Sequence, residues 1–371
     1  MRQLATIRVI NKISNIEKAD KIQVATMENL QWEVVVKRDE FAIGDKVIFI
    51  EIDSLVPEKP EFEFLRDSKF RIKTRKMRGQ ISQGIIFPLS ILPPNIKVEE
   101  GLDITEALQI GNYVKSQEDA DDSQVEVKSK SKVLKFFMGF AWFRFIYLKL
   151  NAVNKGDWPE WGQKSDENRI QVCARNLMEH FNEEWYITEK CDGQSCSVFL
   201  HETKKWGFKS WLFGVCSRNL WLRTPSESNY WKVAKQYDLP NKFKALKRET
   251  FLQGEICGSK VQKNKYKIEG LDMFVFTIVE DGKRVSLERM VELSNQLGLK
   301  TVPIIYESFI PSMALGNITD VSEVVKAMVK MSIGQSKIYD TKREGIVMRL
   351  KSNPNISIKI INPMFLLENE E

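Results

Sequence analysis

The sequence predicts two domains, an all-β barrel followed by a larger α+β domain. The chain has 371 residues, which is enough to build two separate hydrophobic cores. Residues 4 to about 112 contain short β-rich runs separated by turn residues. From residue 156 onward, strand and helix patterns alternate irregularly, which is typical of an α+β domain. We expect domains at 1–114 and 156–371, with a linker at 115–155.

The first domain is predicted from five runs rich in β-branched and aromatic residues. They lie at residues 4–10, 22–26, 32–36, 47–52 and 83–89. Turn residues such as Gly44 and Gly79 separate them. Five strands within about a hundred residues suit a small barrel such as the OB fold.

A basic stripe crosses this domain. Lys69, Arg71, Lys73 and Arg75 alternate with Phe70, Ile72 and Thr74, and Arg78 extends the series. In a strand, this alternation places the cations on one face. Because like charges on one face repel each other, we expect Lys69, Arg71, Lys73, Arg75 and Arg78 to contact a nucleic acid, the alternative being a solvated face. The stripe lacks stacking aromatics, which favours a duplex backbone over a single strand.

The linker combines an acidic run at 118–122 with an apolar segment at 134–150. The acidic run predicts a flexible connection. The apolar segment is too short for a membrane span and carries Lys135, Arg144 and Lys149. We therefore expect no membrane span, and a helix that packs against the domains. An amphipathic helix on a membrane surface is the alternative.

The composition excludes several classes of protein. The hydrophobic fraction is 43% and the charged fraction 29%, as in globular proteins, and the net charge of +6 is compatible with a polyanionic partner. With two histidines and five cysteines without zinc-site spacing, neither a zinc site nor histidine-driven catalysis is expected. Because no apolar segment follows Met1, we expect an intracellular protein, cytoplasmic or nuclear, with reduced cysteines.

The second domain contains a strand–turn–strand pattern at residues 185–200. Lys190, Asp192 and Gly193 occupy its turn in the order Lys-x-Asp-Gly. Gly193 lets backbone approach a ligand closely. Lys190 can act as a nitrogen nucleophile if burial and nearby cations lower its pKa. By itself the pattern also fits a hairpin with a surface lysine.

Further motifs follow in a fixed order. They are Ser217-Arg218-Asn219, Phe251-Leu-Gln-Gly-Glu255, Met273-Phe-Val-Phe276, Arg343-Glu344-Gly and Ser357-Ile-Lys359. This series resembles the covalent nucleotidyltransferases, which are ligases and mRNA capping enzymes. It looks most like the RNA ligase 2-like family of ATP-dependent RNA ligases, in the branch with an OB domain in front. The resemblance covers nearly the whole chain.

The resemblance implies an N-terminal OB-like barrel and a C-terminal α+β nucleotidyltransferase domain, an ATP-grasp-like ligase domain. It implies a ligase that joins 5′-phosphate and 3′-hydroxyl RNA ends through lysyl-AMP and RNA-adenylate intermediates. Lys190 is then the catalytic nucleophile. The implied partner is RNA, as a nicked duplex of RNA or an RNA/DNA hybrid, bound by a monomer.

The resemblance also assigns the nucleotide site. The residues implied to bind ATP are Arg169, Glu189, Lys190, Asp192, Arg218, Asn219, Glu255, Phe276, Glu344 and Lys359. Arg169 is expected at the pyrophosphate, Phe276 rather than Phe274 against the adenine, and Lys359 at the α-phosphate. Many relatives carry a second lysine where this chain has Ile361. Asp192, Glu255 and Glu344 are expected to hold Mg²⁺ or Mn²⁺, mostly through water.

Two other classes of function remain open from the sequence. An ATP-dependent DNA ligase or a capping-type enzyme shares the motifs, but those families place the OB domain after the last motif. Here the predicted barrel lies in front. A non-catalytic nucleic-acid-binding protein with a decayed ligase domain is the other alternative. Lys190, Glu255 and Glu344 argue against it, whereas Ile361 mildly favours it.

The sequence also predicts three helices that frame the second domain. One runs over 285–299 and is capped by Ser286 and ended by Gly298. Another follows Asp320. A third is expected after Asp166 at the entry of the domain.

Overall fold

The computed structural model describes residues 3–113, 155–163, 167–205, 208–223, 225–316 and 318–369. The predicted linker up to residue 154, with its apolar helix, lies outside the described residues, as does Asp166. Among the helices that the structure describes, none is long and apolar enough to cross a membrane.

The described part of the N-terminal domain contains the strands β1 (Ala5–Asn15), β2 (Ile22–Met27), β3 (Glu33–Lys37), β4 (Lys46–Ile50), β5 (Ser54–Leu55), β6 (Arg75–Met77), β7 (Gln80–Ser82), β8 (Ile85–Pro88) and β9 (Gly111–Asn112). Five of them form an antiparallel sheet in the order β3-β2-β1-β4-β8. β1 pairs with β4 through its first half and with β2 through its second, with an irregular register between Ile10 and Lys12. A long bent strand of this kind curls the sheet into a half-barrel. Each of the five predicted strands is confirmed.

The basic stripe does not form the regular strand that the sequence predicts. The 3₁₀ helix Pro60–Ser68 ends at Lys69, and both Lys69 and Phe70 have left-handed backbone, with φ of 53° and 57°. Phe70 enters the core, and Arg71 is buried as well. Lys69, Arg75 and Arg78 stay exposed, and Lys73 is partly exposed. Alternation therefore fails at Arg71, because a turn interrupts the extended backbone on which the prediction depends.

The C-terminal domain contains two large sheets. One is eight-stranded, in the order β10-β15-β14-β13-β16-β17-β18 with β19 on β17, and the other has the order β11-β22-β21-β12-β20. The strands are β10 (Lys155–Asp157), β11 (Asn168–Arg169), β12 (Trp185–Lys190), β13 (Gln194–Lys205), β14 (Phe208–Cys216), β15 (Leu220–Leu222), β16 (Thr250–Gly258), β17 (Leu271–Glu280), β18 (Lys283–Arg284), β19 (Lys300–Thr301), β20 (Ile304–Phe309), β21 (Gly345–Leu350) and β22 (Ser357–Ile361). The predicted catalytic turn links the sheets, because β12 belongs to one and β13 to the other.

The part of the second domain that the structure describes contains seven α-helices. They are α1 (Ile170–Glu179), α2 (Asn229–Gln236), α3 (Leu239–Leu246), α4 (Leu287–Leu297), α5 (Pro311–Leu315), α6 (Val321–Ser332) and α7 (Pro363–Asn369). The hydroxyl of Ser286 accepts a hydrogen bond from the backbone N–H of Arg289, and Gly298 ends α4 with a φ of 72°. Asp320 caps α6 by accepting from the N–H of Ser322. Both predicted caps, and the predicted Gly298 end, are confirmed.

The two domains contact each other through α1 and α6. The backbone N–H of Gln31 donates to the carbonyl of Gln171 at 2.9 Å. The ammonium of Lys326 lies 3.3 Å from the Glu33 carboxylate. Since α1 begins at Ile170, these contacts hold the neighbouring Arg169 beside the OB domain.

Candidate active site

The predicted nucleophile lies at the end of β12 against the neighbouring strand. Lys190 pairs with Gly345 of β21, and its ammonium Nζ donates to Oε2 of Glu344 at 2.7 Å. The two side chains are 28% and 15% exposed. Two residues far apart in sequence are thus joined by the antiparallel pairing of β12 with β21.

One cavity of about 840 Å³ surrounds this pair. It is lined by all of the predicted nucleotide- and metal-site residues, which are Arg169, Glu189, Lys190, Asp192, Arg218, Asn219, Glu255, Phe276, Glu344 and Lys359. Ile361 lines it too, next to Lys359 on β22. The volume is in the range of pockets that enclose a molecule the size of a nucleotide.

The turn after Lys190 is packed tightly against β16. The N–H of Gly193 donates to Oε1 of Glu255 at 3.1 Å. A Cβ at Gly193 would lie 2.2 Å from the carbonyl oxygen of Ile256, so any other residue forces the strands apart. The glycine of the motif is therefore required for close approach to the backbone of β16, whereas the sequence predicts close approach to a ligand.

Phe276 and Phe274 take different positions. Phe276 is partly exposed and lines the cavity, whereas Phe274 is 5% exposed and packs in a small core with Cys191 and Tyr266. The carbonyl of Phe276 accepts from the guanidinium of Arg349 at 2.9 Å. Of these two rings, Phe276 is therefore the one available to stack on a base.

Arg349 was not predicted from the sequence. Its side chain is 2% exposed, and its guanidinium also pairs with the carboxylate of Glu167 at 2.9 Å. Side chains alternate along β21, so Val347 and Arg349 lie on the same face of the strand, and both line the cavity. This alternation is the signal in the sequence that could have predicted Arg349. A buried arginine that pairs with a carboxylate and a carbonyl makes the Phe276 backbone rigid.

Glu189 has a structural partner as well as a position at the cavity. Its Oε2 accepts from the backbone N–H of Lys337 at 2.8 Å. Burial raises the pKa of its carboxyl group, while hydrogen bonds from Ser336 and Lys337 act in the opposite direction. Glu189 thus attaches the loop around residue 337 to β12.

The OB domain contributes to the same cavity, which the sequence did not predict. Asp53 accepts from Arg71 at 2.7 Å and from Arg169 at 3.0 Å, through different carboxylate oxygens. The guanidinium of Arg71 also lies 3.8 Å from the ring centroid of Tyr113. Arg71, predicted as a duplex contact, is therefore turned toward the cavity and lies off the exposed surface of the stripe.

The charges around Lys190 favour its protonated form. Burial lowers the pKa of the ammonium, but the carboxylates of Glu344 and Glu255, followed by Asp192, outweigh it and raise the pKa above its ordinary value. The sequence predicts a lowered pKa from burial and nearby cations. In the protein alone the carboxylates dominate, so added positive charge is needed to release the proton.

The carboxylates fit a hydrated cation rather than a closed cage. In the parts of the chain that the structure describes, no three His, Cys, Asp or Glu side chains converge closely enough to hold an ion directly. Glu344 is held by Lys190, and Glu255 accepts from Gly193. Mg²⁺ keeps several waters and uses few protein ligands, which suits this donor set.

Comparison with known proteins agrees with this geometry. A family model of RNA ligases matches residues 183–361, which contain the Lys190 motif and all the motifs after it, and a model of an OB-fold domain matches residues 4–89. The second domain, over residues 183–361, belongs to the RNA ligase family. Among curated proteins, no sequence matches this RNA ligase.

Solved structures share the whole architecture of this RNA ligase. Naegleria gruberi RNA ligase, as a mutant with ATP and Mn, superimposes with a TM-score of 0.78 at 25% identity, covering 100% of both chains. The same enzyme with PPi gives a TM-score of 0.77 at 25% identity over 100% of this chain and 99% of that one. A mutant in the apo state gives 0.76 at 25% identity, covering 100% and 98%. The order of the domains, with the OB fold in front, is therefore shared.

Proposed function

We propose that this RNA ligase uses ATP to join a 5′-phosphate to a 3′-hydroxyl at nicks in duplex RNA or an RNA/DNA hybrid. The observation that carries the proposal is the contact of Lys190 with Glu344, inside a cavity that also contains Glu255 and Phe276. The solved Naegleria enzyme has been captured with ATP and Mn and with PPi, which supports the choice of nucleotide and metal. We place its domains at 1–114 and 156–371, joined by the 115–155 linker.

The first step is transfer of AMP to Lys190. The neutral amine attacks the α-phosphorus, a nitrogen–phosphorus bond forms, and the bond to the pyrophosphate oxygen breaks. Such a transfer depends on in-line positioning and on neutralising charge. Lys359 and Arg169, adjacent residues in the parallel pairing of β22 with β11, supply positive charge for the α-phosphate and the pyrophosphate.

The carboxylates have a second task beside holding the lysine. Asp192, Glu255 and Glu344 would hold Mg²⁺ or Mn²⁺ through its waters. A bound divalent ion supplies positive charge beside the α-phosphate. The charge of such an ion would offset the carboxylate charge that stabilises the Lys190 ammonium, so that the amine could lose its proton to solvent.

The remaining residues recognise the adenosine. Phe276 offers a ring face to the adenine, and Arg349 keeps its backbone fixed. Arg218 and Asn219 follow β14 at the cavity wall and suit the ribose hydroxyls. Glu189 of β12 lines the same cavity.

In the second and third steps, AMP passes to the RNA 5′-phosphate, and a 3′-hydroxyl then displaces it. Both steps require RNA at the mouth of the cavity. The exposed cations Lys69, Arg75 and Arg78, together with Lys73, suit contacts to a duplex backbone. The protein is proposed to act as a monomer.

Incubation with ATP labelled at the α-phosphate, with Mg²⁺ or Mn²⁺, tests this function. The protein should acquire one covalent, acid-labile adenylate, and Lys190→Ala should acquire none while still sealing, at least in part, a nick that is already adenylylated. Lys209→Ala is the matched control, because that lysine is 76% exposed and pairs only locally with Glu202. Labelling of Lys190→Ala at the wild-type level would assign the nucleophile elsewhere.

A second assay addresses the substrate. Nicked duplexes with RNA or DNA on each side of the nick should be sealed when the strand ends are RNA. Sealing of DNA nicks alone, with RNA nicks left open, would overturn the RNA assignment and favour a DNA ligase.

A further inference from the structure

We propose that Lys265 is a positioning residue for transfer of AMP to Lys190, acting through the carboxylate of Asp192. This inference rests on the proposed function and adds to it a residue outside the sequence motifs. The ammonium of Lys265 lies 2.5 Å from Oδ2 of Asp192. The side chains are 17% and 5% exposed, so the pair is largely removed from water.

Two features hold Lys265 in this position. Its ammonium lies 4.1 Å from the ring centroid of Phe365 on α7, a cation–π contact. Its neighbour Tyr266 is 4% exposed, and the Tyr266 hydroxyl accepts from the backbone N–H of Asp192 at 2.8 Å. One short segment therefore contacts both the side chain and the backbone of Asp192.

The same segment also reaches the next residue of the catalytic turn. The side-chain amide of Gln262 donates to the carbonyl of Gly193 at 3.4 Å. On its other side, the Gly193 N–H is bound by Glu255. The turn that carries Lys190 is thus fixed between β16 and residues 262–266.

Backbone strain in this segment is an independent observation. Gln262, Lys263 and Asn264 are consecutive non-glycine residues with φ of 43°, 59° and 46°. Left-handed backbone is strained for residues other than glycine, and such strain persists only where surrounding contacts over-determine the conformation. The contacts to Asp192 and Gly193 are contacts of that kind.

These facts give Lys265 a role distinct from that of ATP-binding residues. It is not among the described residues that line the cavity, so we expect no direct contact with the nucleotide. It balances the charge of Asp192, which lies two residues from the nucleophile. Partners that orient an active-site carboxylate typically change activity about tenfold to a hundredfold when removed.

The test is a double-mutant cycle on single-turnover adenylylation. Lys265→Met should lower the rate constant by about tenfold to a hundredfold, with little change in the ATP concentration at half-saturation. Lys265→Arg keeps the charge and should recover part of the rate. Combined with Asp192→Asn, Lys265→Met should cause little further loss, because the residue it acts through has already been changed. Lys263→Met is the control, since Lys263 is exposed on the same segment.

Hydrogen exchange of the ligand-free protein gives a readout that needs no catalysis. The amides of Asp192 and Gly193 should exchange faster in Lys265→Met than in wild type, and Lys263→Met should leave them unchanged. If Lys265→Met melts below the assay temperature, Lys265→Gln, which removes the charge but keeps a donor, replaces it in both experiments.

Several results would overturn the proposal. A wild-type rate of adenylylation in Lys265→Met would do so. Fully additive effects of Lys265→Met and Asp192→Asn on that rate would do so as well. Unchanged exchange at the turn also contradicts it. Absence of adenylylation in the wild-type protein instead contradicts the proposed function, so the two failures are distinguishable.

Discussion

The bridge between the domains gives the sharpest prediction. Asp53 has a φ of 64°, a conformation that asparagine adopts as readily as aspartate, so Asp53→Asn preserves the backbone. The substitution removes the charge that Arg71 and Arg169 share. We expect Arg169 to lose its fixed orientation toward the pyrophosphate end of the cavity.

The magnitude follows from the contact of Asp53 with Arg169. A hydrogen bond to a charged group contributes about 1.5–3 kcal/mol. Because the Asp53 side chain is 21% exposed, solvent screening favours the lower part of that range. A loss of about 1.5–2 kcal/mol lowers the rate of Lys190 adenylylation roughly tenfold to thirtyfold.

The assay compares two steps of the reaction. Formation of the Lys190 adenylate from ATP should slow, whereas sealing of a nick that is already adenylylated should not, because pyrophosphate takes part only in the first step. Asp39→Asn is the matched control, since Asp39 is an exposed aspartate of the same domain with a φ of 60°. Equal adenylylation by Asp53→Asn and wild type, or equal slowing of both steps, would refute the reasoning.

Three further predictions concern the cavity and the exposed cations. Glu344→Gln removes a carboxylate that raises the pKa of Lys190, so competitive amine labelling should give that lysine a lower pKa. Adenylylation should nevertheless fall by on the order of a hundredfold, and a faster rate would mean that Glu344 only restrains the amine. Phe276→Ala should weaken ATP binding in a titration without relaxing the choice of base, because stacking accepts any purine, and unchanged affinity would move the stacking role elsewhere. Arg75→Ala and Arg78→Ala should each flatten the slope of log affinity for nicked duplex against log salt by about one unit, and identical slopes would leave the stripe as a solvated surface.

Elements governed by local chemistry could be predicted from the sequence. The cap at Ser286 and the left-handed Gly298 determine the bounds of α4 within a few residues of chain. The order of the motifs also predicted which side chains gather around Lys190, and the cavity contains them. From the sequence, the choice of Phe276 over Phe274 as the stacking ring depended on the family pattern, because both residues lie on the same strand. The structure places Phe274 in a core.

The sequence by itself determined the lysine, the tight glycine turn and the two kinds of domain, because each depends on residues near one another in the chain. Tertiary structure decided the contacts that connect those parts. Asp53 and Arg169 are 116 residues apart, and Lys265 and Asp192 are 73 apart. A carboxylate in one segment carries no local signal of which cation will reach it. Arg71 shows the same limit: two left-handed residues just before it turn its side chain from the exposed stripe to the cavity, where Asp53 compensates its buried charge.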